Sequence, residues 1–308
     1  MRISIISPVY NVEGILDELI NQIISEISKI SEDYELILVE DGSSDNSWRK
    51  IDDHCSKNKN IKGIKLSRNF GQHYAIAAGI KNCTGDVAIL MDCDLQDDPI
   101  YFKLFLNEYS QGYEIVFSKK KRRKHSVIKN IFASCYNYIF NYLSDDVGWK
   151  ITIYVSTFGL LSRKAIDAYL EIKDYSRHTL TVLRWIGFSH TFVDVEHKER
   201  YLGKSTYNFS KLVNHAIDGI ISQTDKLLRL TIYLGIALSF FSFTGIGYIL
   251  IKSINSSFKA GWPSLFVLIL FVSGMIISTI GVSAIYIGKI YEQTKERPLF
   301  IVDKKINI

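Results

Sequence analysis

Short apolar runs alternate with helical periodicity through the first half of the chain. Runs at 3–6, 36–39, 61–66, 87–91 and 115–117 have the length of buried strands. Between them the spacing of apolar residues predicts helices near 14–30, 45–57, 71–81 and 99–110. Such alternation predicts an α/β fold, a mostly parallel sheet with helices on both faces. Past residue 150 the pattern is less regular. A polar, Gly-containing loop at 198–208 then leads into an amphipathic stretch, 209–229, that is expected to lie against a membrane.

Two later stretches break the pattern. No charged residue occurs from Thr231 to Ile251, and none from Ala260 to Gly288. Each exceeds the roughly 20 residues that a helix needs to cross a bilayer core. A chain of 308 residues that is 47% hydrophobic can bury one large core together with such an anchor. The expectation is therefore two carboxyl-terminal transmembrane helices. Lys252 and Lys259 lie in their short connector, whereas Lys226 and Arg229 precede the first span and Lys289, Lys295, Arg297, Lys304 and Lys305 follow the second. By the positive-inside rule the catalytic region and both termini face the cytoplasm, in a multi-pass protein of the inner (cytoplasmic) membrane. The first ten residues lack the basic and apolar regions of a signal peptide. Cys55, Cys83, Cys93 and Cys135 have no Cys-x-x-Cys spacing and are expected to be reduced thiols.

The formal net charge is +5, and the run KKKRRK at 119–124 concentrates it. Two spans make anionic lipid head groups a nearer partner for this patch than nucleic acid. Val127, Ile128, Ile131, Phe132, Cys135, Ile139 and Phe140 follow at helical spacing, which suits a helix in the membrane interface or one packed on the core.

The chemistry gathers where strands are expected to end. In AILMDCDLQDDP, residues 88–99, an apolar run stops abruptly at Asp92 and Asp94, with Asp97 and Asp98 close behind. The carboxyl ends of strands are where ligands bind in open α/β sheets, and two carboxylates one residue apart can share a hard divalent cation. The bland reading is a polar turn before a helix, with Asp98 as N-cap and Pro99 at its first position. Three other expected strand ends run into SPVYNVEG at 7–14, EDGSSDNS at 40–47 and LSRNFGQHYA at 66–75. Asp41 could accept hydrogen bonds from a base or ribose, or serve only the turn at Gly42. Arg68 could grip a phosphate, and His73 could be a donor or a plain surface residue.

Taken in order, these loops and the two spans resemble the family 2 glycosyltransferases of GT-A fold, a Rossmann-like sheet. Within them the chain is similar to the polyprenyl-phosphate glycosyltransferase group, along essentially its whole length. The resemblance implies that Pro8, Tyr10, Glu13 and Asp41 line a nucleoside pocket, with Arg68 and Asp92 nearby. It implies that Asp92 and Asp94, assisted by Gln96, hold Mg²⁺ or Mn²⁺ on the diphosphate of a nucleotide sugar donor, with Asp92, Asp94 and Arg200 as the catalytic set. The loop ERYLGKSTYNFSK at 199–211 matches the group's Arg-x-x-Gly-x-Ser-x-Tyr pattern. It implies that Arg200, Lys204, Ser205 and Tyr207 grip the phosphate of a polyprenyl phosphate acceptor. Charge-assisted donors and a close backbone approach at Gly203 agree with that role. Membrane-anchored relatives also suggest a homo-oligomer.

One stretch departs from the pattern. Where many relatives carry Gly-Asp-Phe-Arg, this chain reads STFG at 156–159, with no acid at Thr157 and no arginine at Gly159. A phosphate acceptor is already ionised near neutral pH and needs no base, whereas a sugar hydroxyl needs one. The expected activity is thus an inverting, metal-dependent transfer of one hexose-type sugar, expected to be UDP-linked, to a polyprenyl phosphate for surface glycan or O-antigen synthesis. One alternative is a processive polysaccharide synthase, but in its Gln-x-x-Arg-Trp motif only Arg184 and Trp185 are present and Thr181 replaces the Gln. A second is a non-catalytic membrane protein that binds nucleotide sugar or lipid. The expected division is a catalytic domain at 1–208, a juxtamembrane helix at 209–229, a transmembrane hairpin at 230–290 and a cytoplasmic tail at 291–308.

Overall fold

The structure is a computed structural model that describes residues 1–120, 155–175, 177–196, 226–255 and 261–308. Most of the basic run at 119–124, the apolar stretch at 127–140, the 199–211 loop and most of the amphipathic stretch at 209–229 lie outside the described residues.

Strands β1 (Ile3–Val9), β2 (Tyr34–Glu40), β3 (Ile61–Leu66), β4 (Val87–Leu90) and β5 (Ile115–Lys120) alternate with helices α1 (Leu16–Ile27), α2 (Ser47–Lys57), α3 (Gln72–Asn82) and α4 (Phe102–Ser110). A 3-10 turn, Pro99–Tyr101, leads into α4, and Asp98 caps it by accepting from the Ile100 N–H at 3.2 Å. The irregular second half supplies β6 (Val155–Ser162), α5 (Arg163–Glu171), α6 (Thr179–Ile186) and β7 (His190–Val195). Two long helices, α7 (Lys226–Asn255) and α8 (Trp262–Thr294), are followed by a last strand, β8 (Val302–Ile306).

All eight strands form one sheet in the order β7-β5-β6-β4-β1-β2-β3-β8. Pairings β1–β2, β1–β4, β2–β3 and β5–β7 are parallel, while β4–β6, β5–β6 and β3–β8 are antiparallel. Period-two alternation sends Ile3, Ile5, Leu36, Leu38, Val87 and Ile89 to one face, where they pack with Leu16, Leu19, Phe102 and Phe105. It sends Ile6, Ile37, Val39, Ala88 and Leu90 to the other, against Ala75 and Ala78 of α3 and Ile166 and Tyr169 of α5. Burial on both faces explains why these strands read as continuous apolar runs.

The chain divides into two compact units. The first comprises residues 1–141, 146–208 and 297–308, and the second the remainder. The final twelve residues, expected as a cytoplasmic tail, are therefore part of the sheet unit, with β8 paired to β3.

Within the second unit, α7 and α8 touch one another. Among the described residues, one segment, Phe271–Thr294, is long and apolar enough to cross a membrane, with mean hydropathy 1.8 and none of it buried. Of the two spans expected from sequence, one meets that criterion among the described residues. The long helix α7 contributes only the shorter apolar segment Leu228–Leu238 among the described residues.

Candidate active site

β2 and β4 flank β1 in the sheet, so the carboxyl ends of these three parallel strands stand side by side. Asp41 follows β2 directly, and Asp92 comes two residues after β4. The two acids are thus brought to one rim by strand order, at the place where an open α/β sheet offers a ligand crevice.

The first two strand-end loops interlock. Asn11, in the left-handed region at φ 51°, accepts from the Ser44 N–H at 2.9 Å through its Oδ1, and its own N–H donates to Ser43 Oγ at 3.1 Å. Glu13 spends both carboxylate oxygens on Asn46, accepting from its N–H at 3.1 Å and its Nδ2 at 3.0 Å. The Glu13 N–H in turn donates to Asp45 Oδ2 at 2.9 Å. Burial works against the Asp45 charge, but donors from Ser47 and the Glu13 N–H prevail and hold the carboxyl below its usual range. Glu13, assigned by resemblance to the nucleoside pocket, is therefore engaged in locking the loops. Pro8 is buried within β1, whereas Tyr10 is 49% exposed and presents its ring at the strand end.

Asp41 is nearly fully buried. Its two oxygens accept the backbone N–H groups of Phe70 at 2.7 Å and Gly71 at 2.8 Å. Burial outweighs these bonds and leaves its pKa raised. Gly42 stands beside it at φ 68°, and a Cβ there would meet Asn69 N at 2.3 Å, so only glycine lets the two loops approach this closely. Arg68 stacks on Phe70, its guanidinium 4.0 Å from the ring centre, and donates to the Asn69 carbonyl at 2.9 Å. Stacking fixes the group while its remaining donors can address an anion.

Around the acid cluster, Leu95 at φ 60° turns the chain sharply and buries its side chain. The Gln96 N–H donates to Asp94 Oδ1 at 3.2 Å, and Gln72 Nε2 donates to Asp92 Oδ1 at 2.6 Å. Asp97 is buried, and its carboxyl is pushed up to about 7 by burial and by the neighbouring Asp92 charge. Burial, with the neighbouring Asp92 charge, pushes the thiol of Cys93 between the two acids up to about 12.

No group of three or more His, Cys, Asp or Glu residues suited to a metal occurs among the described residues. The donor set nevertheless fits Mg²⁺ or Mn²⁺. Mg²⁺ is commonly held by one or two carboxylates plus substrate phosphates, without an all-protein cage. Asp97 beside them is raised first by burial and then by the Asp92 charge, so a cation held there would also ease the repulsion between these carboxylates.

Two functional candidates escaped the reading of the sequence. Gln72 lies in the third loop and carries no acid-base signal, and only the fold brings its amide to Asp92. Glu40 closes β2 as a buried residue whose Oε1 accepts the Ser43 N–H, while its Oε2 has no hydrogen-bond partner among the described residues. His73 is no isolated surface residue, since its ring lies 4.2 Å from that of His178 and its Nδ1 is 3.1 Å from Thr179 Oγ1. Arg184 is buried and Trp185 is 67% exposed. Arg200, Lys204, Ser205 and Tyr207 lie outside the described residues.

Gly159 has a steric reason for replacing arginine. It pairs with Phe117 across the β5–β6 ladder, and a Cβ there would meet the Val116 carbonyl oxygen at 2.1 Å.

Comparison with known proteins agrees with this geometry. The chain is 33% identical to the uncharacterized glycosyltransferase YkcC of Bacillus subtilis, covering 100% of this chain and 95% of that protein. It is 31% identical to the undecaprenyl-phosphate 4-deoxy-4-formamido-L-arabinose transferase of Shewanella sediminis, covering 97% and 91%. In fold it is similar to glucosyl-3-phosphoglycerate synthase of Mycobacterium tuberculosis, solved with phosphoglyceric acid, with TM-score 0.50 and 17% identity over 72% of this chain and 79% of that one. The sequence model of glycosyl transferase family 2 matches residues 4–170, more than half of the chain, and the protein belongs to that family.

Proposed function

We propose that this enzyme moves one hexose-type sugar from a nucleotide sugar, UDP-linked, to a polyprenyl phosphate at the cytoplasmic face of the membrane. The observation that carries this reading is the meeting of Asp41, Asp92 and Asp94 at strand ends on either side of β1, in a chain similar over 97% of its length to a transferase named for undecaprenyl phosphate. A nucleotide sugar has the matching parts. Tyr10 offers a stacking surface for a base, the Asp41 region accepts from base or ribose, and Arg68 addresses a phosphate.

In the proposed step an oxygen of the acceptor phosphate attacks the anomeric carbon from the face opposite the leaving group. The bond from that carbon to the diphosphate oxygen breaks, its electron pair departs with the nucleoside diphosphate, and the configuration inverts. A divalent cation on Asp92 and Asp94 supplies Lewis-acid neutralisation of the departing charge when bound. Gln72 orients Asp92, and the Leu95 turn holds Asp94 beside it. Arg200, Lys204, Ser205 and Tyr207 are assigned to the acceptor phosphate by resemblance. The acceptor's charge fits the lack of an acid at Thr157, because an ionised phosphate needs no proton removed.

The membrane arrangement is part of the same proposal. Strand β8 belongs to the same sheet as β1, so the chain returns after α8 to the side from which it left. Any crossings between residues 196 and 297 must then be even in number. Two spans, by α7 and α8, satisfy that parity and the lysine and arginine distribution. A surface glycan or O-antigen precursor is the product class that follows from a cytoplasmic polyprenyl-linked sugar.

The test incubates the purified full-length protein in detergent with undecaprenyl phosphate, Mg²⁺ or Mn²⁺ and a panel of nucleotide sugars, followed by mass spectrometry of the extracted lipid. A lipid heavier by one sugar, absent with Asp94→Ala, is the expected result. A ladder of products would point to the processive alternative. Nucleotide binding without any transfer would point to a binding protein.

A further inference from the structure

Pro298 lies beyond the end of α8, and Glu296 adopts a left-handed φ of 49°. The following residues read as an edge strand of mixed character. Phe300 and Val302 pack on the face that carries α3, Ile306 packs on the opposite face, and Lys304 and Lys305 stay exposed. β8 runs antiparallel to β3, pairing Gly63 with Ile306 and Lys65 with Lys304 before the register shifts at Leu66.

Both ends of this strand are clamped. At the amino end of β3, Asn307 Nδ2 donates to the carbonyls of Cys55 and Ile61 at 2.8 Å each, and Lys305 Nζ reaches Asn82 Oδ1 at 2.6 Å. At the carboxyl end, the Ser67 N–H donates to the Ile301 carbonyl at 2.9 Å. Ser67 begins the loop that serves the acid sites. Three and four residues on, Phe70 and Gly71 give their N–H groups to Asp41, Asn69 lies against Gly42, and Gln72 reaches Asp92. One short stretch therefore connects the last residues of the chain to both acids of the rim.

We propose that the carboxyl-terminal strand is a positioning element of the donor site, holding the 67–71 loop in the form in which it braces Asp41 and presents Gln72 to Asp92. The inference rests on reading that rim as the nucleotide-sugar site. Without β8, β3 becomes the sheet edge and the loop after it loses its anchor at Ser67. Each loop residue that nucleotide must then order subtracts from affinity, so binding weakens about tenfold. Among the described residues, these contacts reach the donor rim at Asp41 and Asp92.

The test uses the full chain with Phe300→Ala and Asn307→Ala together, compared with wild type for UDP binding by calorimetry and for steady-state transfer. Faster hydrogen exchange at the Ser67 amide reports that the tail has detached. The expected result is a donor KM and a UDP dissociation constant raised about tenfold, with acceptor KM and kcat at saturating donor within about twofold of wild type. A detached tail with unchanged UDP affinity overturns the proposal, as does lost thermal stability without any change in donor KM. Wild-type protein that binds no nucleotide at all overturns the reading of the site itself, and that outcome is read before any variant is made.

Discussion

The two ends of the parallel sheet treat buried carboxylates in opposite ways. At the amino ends, Glu35 of β2 is completely buried, yet Lys62 Nζ at 2.5 Å, Ser4 Oγ at 2.6 Å and the Thr84 N–H at 2.6 Å all converge on it. Burial pushes that carboxyl up, but the donors, Lys62 foremost, more than reverse it and hold the pKa below the usual range. At the carboxyl ends Asp41 and Asp97 are also buried, and their pKa values are raised, Asp97 to about 7. The first end is neutralised by its own side chains and serves stability. The second keeps carboxylates that burial, more than any donor, governs, and perturbed acids of this kind cluster at functional sites.

The comparison breaks most clearly at Glu35. Glu35→Ala leaves Lys62 buried without its counter-charge and should cost about 3–5 kcal/mol of stability, measured by denaturant unfolding. Folded protein of this variant should keep its transfer rate. A variant as stable as wild type would show that the buried pair contributes nothing.

At the opposite end Asp94→Ala should lower transfer by about 10²–10³-fold, the scale of lost electrostatic stabilisation in a transition state. Its melting temperature should not fall, because removing one like charge relieves repulsion beside Asp97. A variant that unfolds at lower temperature would make Asp94 structural, like Glu35.

Asp41→Asn sharpens the contrast at smaller scale. Its amide nitrogen would face one of the N–H groups of Phe70 and Gly71, so UDP affinity should fall about tenfold through loss of the braced loop. Calorimetric titration with UDP measures it, and unchanged affinity would separate Asp41 from the donor pocket.

The smallest expected effect is in pH. Glu35 has a lowered folded-state pKa, so its stabilisation is fully present above the unfolded value near 4.3 and is lost as pH falls through the folded value. Melting temperatures of wild type should therefore drop more steeply below about pH 4 than those of Glu35→Gln. Parallel profiles would contradict the lowered pKa.

Much of the site was readable because a buried strand followed by acids is a local pattern. The run at 87–91 into Asp92 and Asp94, and the run at 36–39 into Asp41, both carry that signature. Glu13 shows what the sequence does not display. Its carboxylate matches the pattern of a pocket residue, but both oxygens meet Asn46 in the folded chain. Gln72 was overlooked because an amide gains meaning only from the neighbour that it faces. Strand β8 was missed for a related reason. Val-Asp-Lys-Lys-Ile buries only its ends in part, and its partner β3 lies far away in sequence, so no local periodicity marks it.

By itself the sequence determined the elements that depend on burial alone. These are the apolar strands of the first half, the helices between them, the long charge-free stretches and the acids that follow two strands. Those features are local, since the period of apolar residues and the capping residues at their ends are set within one element. Only the tertiary structure decided that β2, β1 and β4 stand side by side, so that acids some fifty residues apart share one rim. It alone decided that the chain's last strand returns to β3 and that Ile301 accepts from Ser67 at the head of the loop facing those acids. Strand order and edge pairing are fixed by contacts between distant segments, whose free energy is not written in either segment taken singly.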